Sequence, residues 1–174
     1  TKEFVKRNGE FTVNIAMIYN GSPIMGVIYV PVKKELYFAM EGLGSYKTSR
    51  SLVIDNLEDL VLESNKLPID YKRNNYVVVG SRSHMSAETE QFFEEKKIEH
   101  GEVEVIAVGS SLKLCMVAEG KADAYPRYAP TMEWDTGAGH AIAKMAGFSA
   151  IQYNTNKEMV YNKEYLLNPW FLVS

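Results

Sequence analysis

Turn-forming residues divide the first third of the sequence into four short β-like runs, and this division restricts the fold more than any other feature. The runs cover residues 11–19, 24–30, 35–40 and 44–47. The segment Asn20, Gly21, Ser22, Pro23 separates the first two, and such residues are typical of tight turns. Because short turns join antiparallel neighbours, the pattern predicts a meander that forms half of a sheet domain.

A different pattern follows residue 75, where strand-like and helix-like segments alternate. Predicted strands cover residues 76–79, 102–108, 122–125, 150–153 and 171–173. Predicted helices cover residues 88–97, 112–119 and 136–145. The polar residues 48–75 are interpreted as a surface excursion or linker. We therefore predict an α/β (α+β) fold, with part of a sheet domain and a connecting excursion in residues 1–75 and an α/β domain in residues 76–174.

Composition excludes several classes of protein. The 174 residues are 46% hydrophobic and 24% charged, as in an ordinary folded domain, and the formal net charge is −3. Proteins that bind nucleic-acid backbone normally carry a basic excess, so we expect no nucleic-acid partner and a local site for any phosphate. The single cysteine, Cys115, cannot form an internal disulfide, which suits a reducing cytoplasm. No apolar run reaches the roughly 20 residues of a membrane-spanning helix, so we expect no integral membrane segment.

The strongest local signal is the sequence WDTGAGH, which begins at Trp134 and precedes a helix that Gly147 is expected to stop. In a structural interpretation, the Asp135 carboxylate caps this helix and offsets the positive end of its dipole. In a functional interpretation, Asp135 binds a hard cation, while the small residues after it leave room for a substrate. Both roles can coexist, and the spacing alone does not separate them.

Three further segments carry residues suited to phosphate. GSSLK lies between a strand and a helix, where Ser110 or Ser111 either caps the helix or frames an anion site made of exposed amides. Arg127 is either an ordinary surface residue or a guanidinium for phosphate or for stacking on adenine. His84 follows a predicted strand in a loop without a nearby carboxylate, which is more typical of a surface residue than of a ligand.

These segments resemble the inositol monophosphatase superfamily, and their order and spacing are most similar to those of bacterial bisphosphate nucleotidases. The matching stretches are TKEFVKRNGEFTVNIA, GSRSH, GSSLK, AEGKADAYPR, WDTGAGH and LNPWF. The resemblance implies a layered α-β-α-β-α sandwich and a Mg2+-dependent phosphatase. The implied reaction removes the 3'-phosphate of 3'-phosphoadenosine 5'-phosphate, and possibly of 3'-phosphoadenylyl sulfate, to give AMP in sulfur assimilation. It also implies a cytoplasmic protein, with peripheral association at the inner membrane as an alternative.

The same resemblance assigns roles to residues of this sequence. Asp135 is implied to be a metal ligand that also contacts substrate. Thr1 is implied to be a catalytic hydroxyl that helps to orient the attacking water. The remaining implied contacts are to the nucleotide's phosphate, ribose or base, and they come from His84, Gly109, Ser110, Ser111, Lys113 and Arg127.

The sequence departs from the family in its acidic residues. The superfamily's other principal metal motif, Asp-Pro-Leu/Ile-Asp-Gly-Thr, is represented only by what resembles its last residue, Thr1. We therefore expect an amino-terminal part to be missing, with apolar surface near Thr1 covered by that part or by another chain. With most metal ligands absent, the chain is expected to be inactive alone. The alternatives are an inositol monophosphatase-like sugar phosphatase and a non-catalytic nucleotide-binding fragment.

Overall fold

A five-stranded antiparallel meander forms the first part of the molecule, whose computed structural model describes residues 9–49, 56–80 and 86–174. Its strands, neighbours in chain order, are β1 (Val13–Tyr19), β2 (Ser22–Val30), β3 (Glu35–Met40), β4 (Gly44–Thr48) and β5 (Asn65–Lys66). The predicted antiparallel meander is confirmed, because β1 to β4 pair in chain order, and β5 adds a strand to the four predicted runs.

The segment between the two parts is more ordered than its composition indicates. Residues 48–75, interpreted as a surface excursion or linker, contain α1 (Leu57–Leu62) and the fifth strand of the sheet. Leu67 follows that strand, is only 3% exposed, and donates its amide to the carbonyl of Ser45 at 2.8 Å. A buried residue such as Leu67 holds this segment to the sheet, although the average composition of the segment is polar.

Strands and helices alternate in the second part, as predicted. The elements are β6 (Tyr76–Gly80), α2 (Ala87–His100), β7 (Val103–Ala107), α3 (Leu112–Glu119), β8 (Tyr125–Arg127), α4 (Glu133–Met145), β9 (Ala150–Gln152) and β10 (Phe171–Val173). The strands β6 and β7 pair in parallel, while β8, β10 and β9 form an antiparallel sheet. A parallel bridge between Val78 and Ala124 connects the two groups of strands.

Helix α4 lies between the meander and α3, and glycines allow its close approach. A Cβ added at Gly26 of β2 would lie 2.3 Å from the carbonyl oxygen of Ala138, and one added at Gly139 would lie 2.7 Å from Cβ of Leu114. Such distances are far below van der Waals contact. The middle of α4 therefore packs closely against both β2 and α3. None of the described helices is long and apolar enough to cross a membrane.

We expect Gly26→Ala to destabilise the protein by about 3 kcal/mol, the upper part of the usual range for overpacking, because the clashing atom is a backbone oxygen that cannot rotate away. The midpoint of urea unfolding measures this effect. Gly80→Ala is the matched control, since no described atom lies within 4 Å of a Cβ added there. Equal midpoints for the two variants would contradict the close packing of α4 on β2.

Candidate active site

A cavity of about 360 Å³ opens where β1, the entrance to α3, the end of β8 and the start of α4 meet. This is the size range of small-molecule sites. Its lining is Phe11, Thr12, Asn14, Ser110, Ser111, Lys113, Leu114, Tyr125, Arg127, Pro130, Thr131, Asp135 and Thr136. The fold thus brings together five residues that the sequence singled out, although they come from three separate segments.

The entrance to α3 differs from its prediction. Ser111 occupies the N-cap position, but its side chain makes no capping hydrogen bond. Its hydroxyl lies instead 2.9 Å from the hydroxyl of Thr12 on the chain leading into β1. The amide of Gly109 donates to Oε2 of Glu10 at 2.7 Å. Ser111 is thus the N-cap residue, one of the two that the sequence offered, but its hydroxyl contacts Thr12 and not the first-turn amides of α3.

Two cations face the cavity. Lys113 is only 7% exposed, and its Nζ lies 3.3 Å from the carbonyl oxygen of Ser110 and 5.7 Å from the ring centre of Tyr125. Arg127 donates from Nη2 to the carbonyl of Pro130 at 3.1 Å, while its buried Nε has no hydrogen-bond partner among the described residues. Positive charge thus lies on two walls of the cavity, where an anionic group would be attracted.

Asp135 lies in the first turn of α4, which begins three residues before its predicted start. Its Oδ2 accepts a hydrogen bond from the amide of Met132, the N-cap residue, at 2.9 Å. Its other oxygen has no hydrogen-bond partner in the described part of the chain. The structural interpretation placed Asp135 before the first turn of the helix, but the carboxylate instead bonds back to the N-cap amide from the third helical position. Its second oxygen is left for another ligand.

The described residues supply one ligand for a hard cation but do not complete a metal centre. Asp135 is the acidic residue in the cavity lining, and no group of three His, Cys, Asp or Glu side chains within the described ranges could hold a metal ion. Because divalent cations in phosphatase-like sites usually take several oxygen ligands, Asp135 fits as a member of such a centre and not as the whole of it.

Sequence reasoning missed several cavity residues. Thr12 and Asn14 lie two positions apart at the start of β1, and Nδ2 of Asn14 donates to Oγ1 of Thr12 at 3.0 Å. Polar residues at alternating positions in an otherwise apolar strand were the available signal. Thr136 was also missed, and it connects the cavity to buried groups behind it. Thr1 and His84, which the sequence assigned to catalysis and substrate binding, lie outside the described residues.

Comparisons with known proteins show which family has this fold. Residues 1–171 match the Inositol monophosphatase family, and the chain belongs to this family. Proteins of the family are metal-dependent phosphatases. The fold is the mixed α/β fold of inositol monophosphatase structures, as predicted. One of these, Mycobacterium tuberculosis SuhB, is 22% identical with a TM-score of 0.66 over 99% of this chain and 61% of that chain, a likeness in fold.

Among the relatives, two bacterial proteins are far more similar. The 3'(2'),5'-bisphosphate nucleotidase CysQ of Escherichia coli K12 is 43% identical over 100% of this chain and 64% of its own length. The crystal structure of CysQ from Bacteroides thetaiotaomicron is 55% identical, with a TM-score of 0.93 over 99% of this chain and 65% of that chain. The chain therefore spans somewhat less than two thirds of the length of these relatives.

Proposed function

We propose that this chain is part of a Mg2+-dependent phosphatase that removes the 3'-phosphate of 3'-phosphoadenosine 5'-phosphate to give AMP. The observation that carries the proposal is the cavity that joins Asp135, Ser111, Lys113 and Arg127. Relatives named as bisphosphate nucleotidases support the same substrate class. The sulfated relative, 3'-phosphoadenylyl sulfate, is proposed as a second substrate, which places the reaction in sulfur assimilation.

In this proposal, different residues of the chain contact the two phosphates of the substrate. Asp135 supplies one carboxylate to the reaction centre, where bound Mg2+ would neutralise the phosphoryl oxygens and lower the pKa of a water molecule. Lys113 and Arg127 neutralise the second phosphate away from that centre. Ser110, Ser111 and the start of α3 offer hydrogen-bond donors to phosphate or ribose. Holding both ends fixes the substrate for attack, which is the main contribution of a protein to phosphoryl transfer.

The residues outside the described ranges complete the proposal. The hydroxyl of Thr1 is proposed to orient the attacking water, and His84 to contact ribose or base. The amide of Gly109 is already bonded to Glu10, so any substrate contact from Gly109 would use its carbonyl or Cα. The remaining metal ligands would come from another segment of the whole protein or from another chain. That part would also cover β1, where Val13, Ile15 and Met17 are 50–56% exposed.

A substrate with two phosphates requires more positive charge than a simple monophosphate, and this difference tests the assignment. In the full-length protein, we expect the double change Lys113→Met and Arg127→Met to reduce kcat/KM for 3'-phosphoadenosine 5'-phosphate. Loss of charge-assisted contacts predicts a fall of about a hundredfold relative to inositol 1-phosphate. Phosphate release from both substrates gives the ratio.

The control is the pair Lys33→Met and Lys97→Met, which removes the same charge from exposed positions outside the cavity. It should leave the ratio unchanged. If the ratio is also unchanged in the cavity variant, these cations do not recognise a second phosphate and the sugar phosphatase alternative gains support. Nucleotide binding without phosphate release by the wild-type protein would support the non-catalytic alternative.

A further inference from the structure

Behind the cavity wall lies a buried chain of polar side chains to which sequence reasoning gave no role. Its members, called here the α4 network, are Thr136, His140, Tyr161 and Asn168, and each is at most 4% exposed. The hydroxyl of Tyr161 lies 3.0 Å from Nδ1 of His140 and 3.3 Å from Oγ1 of Thr136. Nδ2 of Asn168 donates to Oγ1 of Thr136 at 3.0 Å. One member, Thr136, also lines the cavity.

Asn168 bonds to residues on both sides of Asp135. Its Nδ2 also lies within hydrogen-bond distance of the carbonyl oxygen of Met132, at 2.8 Å, and its own amide donates to the carbonyl of Thr131 at 2.8 Å. Met132 is the residue whose amide binds the Asp135 carboxylate, and Thr136 is the residue that follows Asp135. Asn168 thus bonds both to the residue whose amide binds the Asp135 carboxylate and to the residue that follows Asp135.

The opposite end of the α4 network is anchored to a charged group. Nε2 of His140 lies 3.2 Å from Oε1 of Glu158, and Oε2 of Glu158 accepts from Nζ of Lys144 at 3.0 Å. The same Nζ lies 2.9 Å from Oγ of Ser22 in β2. Burial lowers the pKa of the His140 imidazole despite the nearby Glu158. The anchor thus fixes the network to α4 and to the meander at once.

We propose that the α4 network positions the Asp135 carboxylate, so that Thr136, Tyr161 and Asn168 are positioning residues for the reaction, not only parts of the core. A purely structural role would need no polar groups, since apolar side chains of similar volume would fill the same space. Hydrogen-bonded polar networks instead select one arrangement of the backbone. In the α4 network the Nδ2 of Asn168 is bonded, while its buried Oδ1 has no hydrogen-bond partner among the described residues. The inference rests on the proposed function for its catalytic consequence, whereas its structural consequence can be measured independently.

The test uses the protein at the full length that its gene encodes and compares two tyrosine variants. Tyr161→Phe removes a buried hydroxyl of the α4 network, and Tyr37→Phe removes a buried hydroxyl that donates to Glu119, away from the cavity. We expect kcat to fall by about tenfold to a hundredfold in Tyr161→Phe alone, the range seen when groups that orient a site are removed. KM should change little, because substrate contacts remain.

Amide hydrogen exchange gives a readout that does not depend on activity. The amides of Met132, Glu133 and Asp135 donate hydrogen bonds at the start of α4. Their exchange should accelerate at least about tenfold in Tyr161→Phe and Thr136→Val but not in Tyr37→Phe, when compared at equal distance from the unfolding midpoint. Thr136→Ser, which keeps the hydroxyl, should recover most of the protection and of the rate lost in Thr136→Val.

The outcomes separate the two proposals. If exchange and kcat respond equally in Tyr161→Phe and Tyr37→Phe, the network contributes only stability and the inference is overturned. If the wild-type protein releases no phosphate from the nucleotide, the proposed function fails, and exchange at the start of α4 alone decides the positioning role. Failure of Thr136→Ser to recover protection would also overturn it, because the hydroxyl is the bonded group.

Discussion

Replacing Asp135 by asparagine is expected to abolish phosphate release by the whole protein while leaving its fold intact. The change removes the charge that Asp135 would contribute to a cation, and a bound metal ion is worth several kcal/mol of transition-state stabilisation. Loss of about 4 kcal/mol corresponds to about a thousandfold in kcat/KM. The fold is preserved because an asparagine oxygen can still accept the amide of Met132, which the Asp135 carboxylate does now at 2.9 Å.

The measurement is phosphate release from 3'-phosphoadenosine 5'-phosphate over a range of Mg2+ concentrations, with the urea midpoint as a check on folding. Asp59→Asn is the matched control, since Asp59 also lies in the first turn of a helix but outside the cavity. It should keep full activity. If the Asp135 variant turned over at ordinary Mg2+, the assignment of Asp135 to a metal would fail.

Local sequence patterns predicted much of the fold because the relevant forces are local. The segments Glu35–Met40, Leu112–Glu119 and Phe171–Val173 were predicted with the bounds that the structure shows. Turn residues bound the first, and Gly120, with φ of +84°, stops the helix where glycine is favoured. In these segments the hydrophobic pattern and the residues that end each element indicate the same bounds. Distant contacts are therefore not needed to predict them.

The start of α4 could not be predicted in the same way. The helix begins at Glu133 after Met132, a residue with no capping side-chain oxygen, and sequence rules therefore favoured a later start. The first turn is stabilised instead by distant groups, since the amides of Asn162 and Lys163 donate to the Glu133 carboxylate at 2.8 and 3.2 Å. A carboxylate bound by residues about thirty positions away leaves no local signal.

In the candidate site, too, some residues could be predicted from local sequence and others depend on distant contacts. Ser110, Ser111, Lys113, Arg127 and Asp135 were identified because each lies in a short motif that resembles one of the inositol monophosphatase superfamily. Thr12 and Asn14 were missed, because the contact between Thr12 and Ser111 joins residues 99 positions apart. Only the folded meander brings the start of β1 to the entrance of α3. Motifs therefore predict some of the residues of the cavity, whereas the topology of the fold determines which other residues lie beside them.

A buried ionic cluster at the far end of α3 contributes to how the protein should respond to acid. The Glu119 side chain is only 3% exposed, and Nζ of Lys121 lies 2.8 Å from its Oε1. Tyr71 and Tyr37 donate their hydroxyls to it at 2.8 and 2.9 Å. Nζ of Lys47 lies 3.1 Å from both of its oxygens. Glu119 thereby joins α3 to the meander and to the segment that follows it.

These donors also determine the sign of the pH dependence. Burial alone would raise the pKa of Glu119, but the hydrogen bonds from Lys121 and Tyr71 and the charge of Lys47 outweigh it and hold the pKa below 4.5, the ordinary value. The unfolded chain therefore takes up a proton at higher pH than the folded protein does. The stabilisation is fully present above pH 4.5 and is lost progressively as the pH falls below it.

We expect Glu119→Gln to lower the free energy of unfolding at pH 7 by about 3 kcal/mol, the lower end of the range for breaking a buried ion pair. The lower end applies because Lys47 keeps a second partner, Glu35, at 2.9 Å. Urea unfolding at a series of pH values should also show a shallower loss of stability below pH 4.5 in this variant, since the group that takes up the proton is gone.

Glu94→Gln, which breaks an exposed pair with Lys97, is the control and should change stability by less than about 1 kcal/mol. Wild-type and Glu119→Gln proteins that lost stability in parallel through the acid range would show that the acid sensitivity resides in other carboxylates.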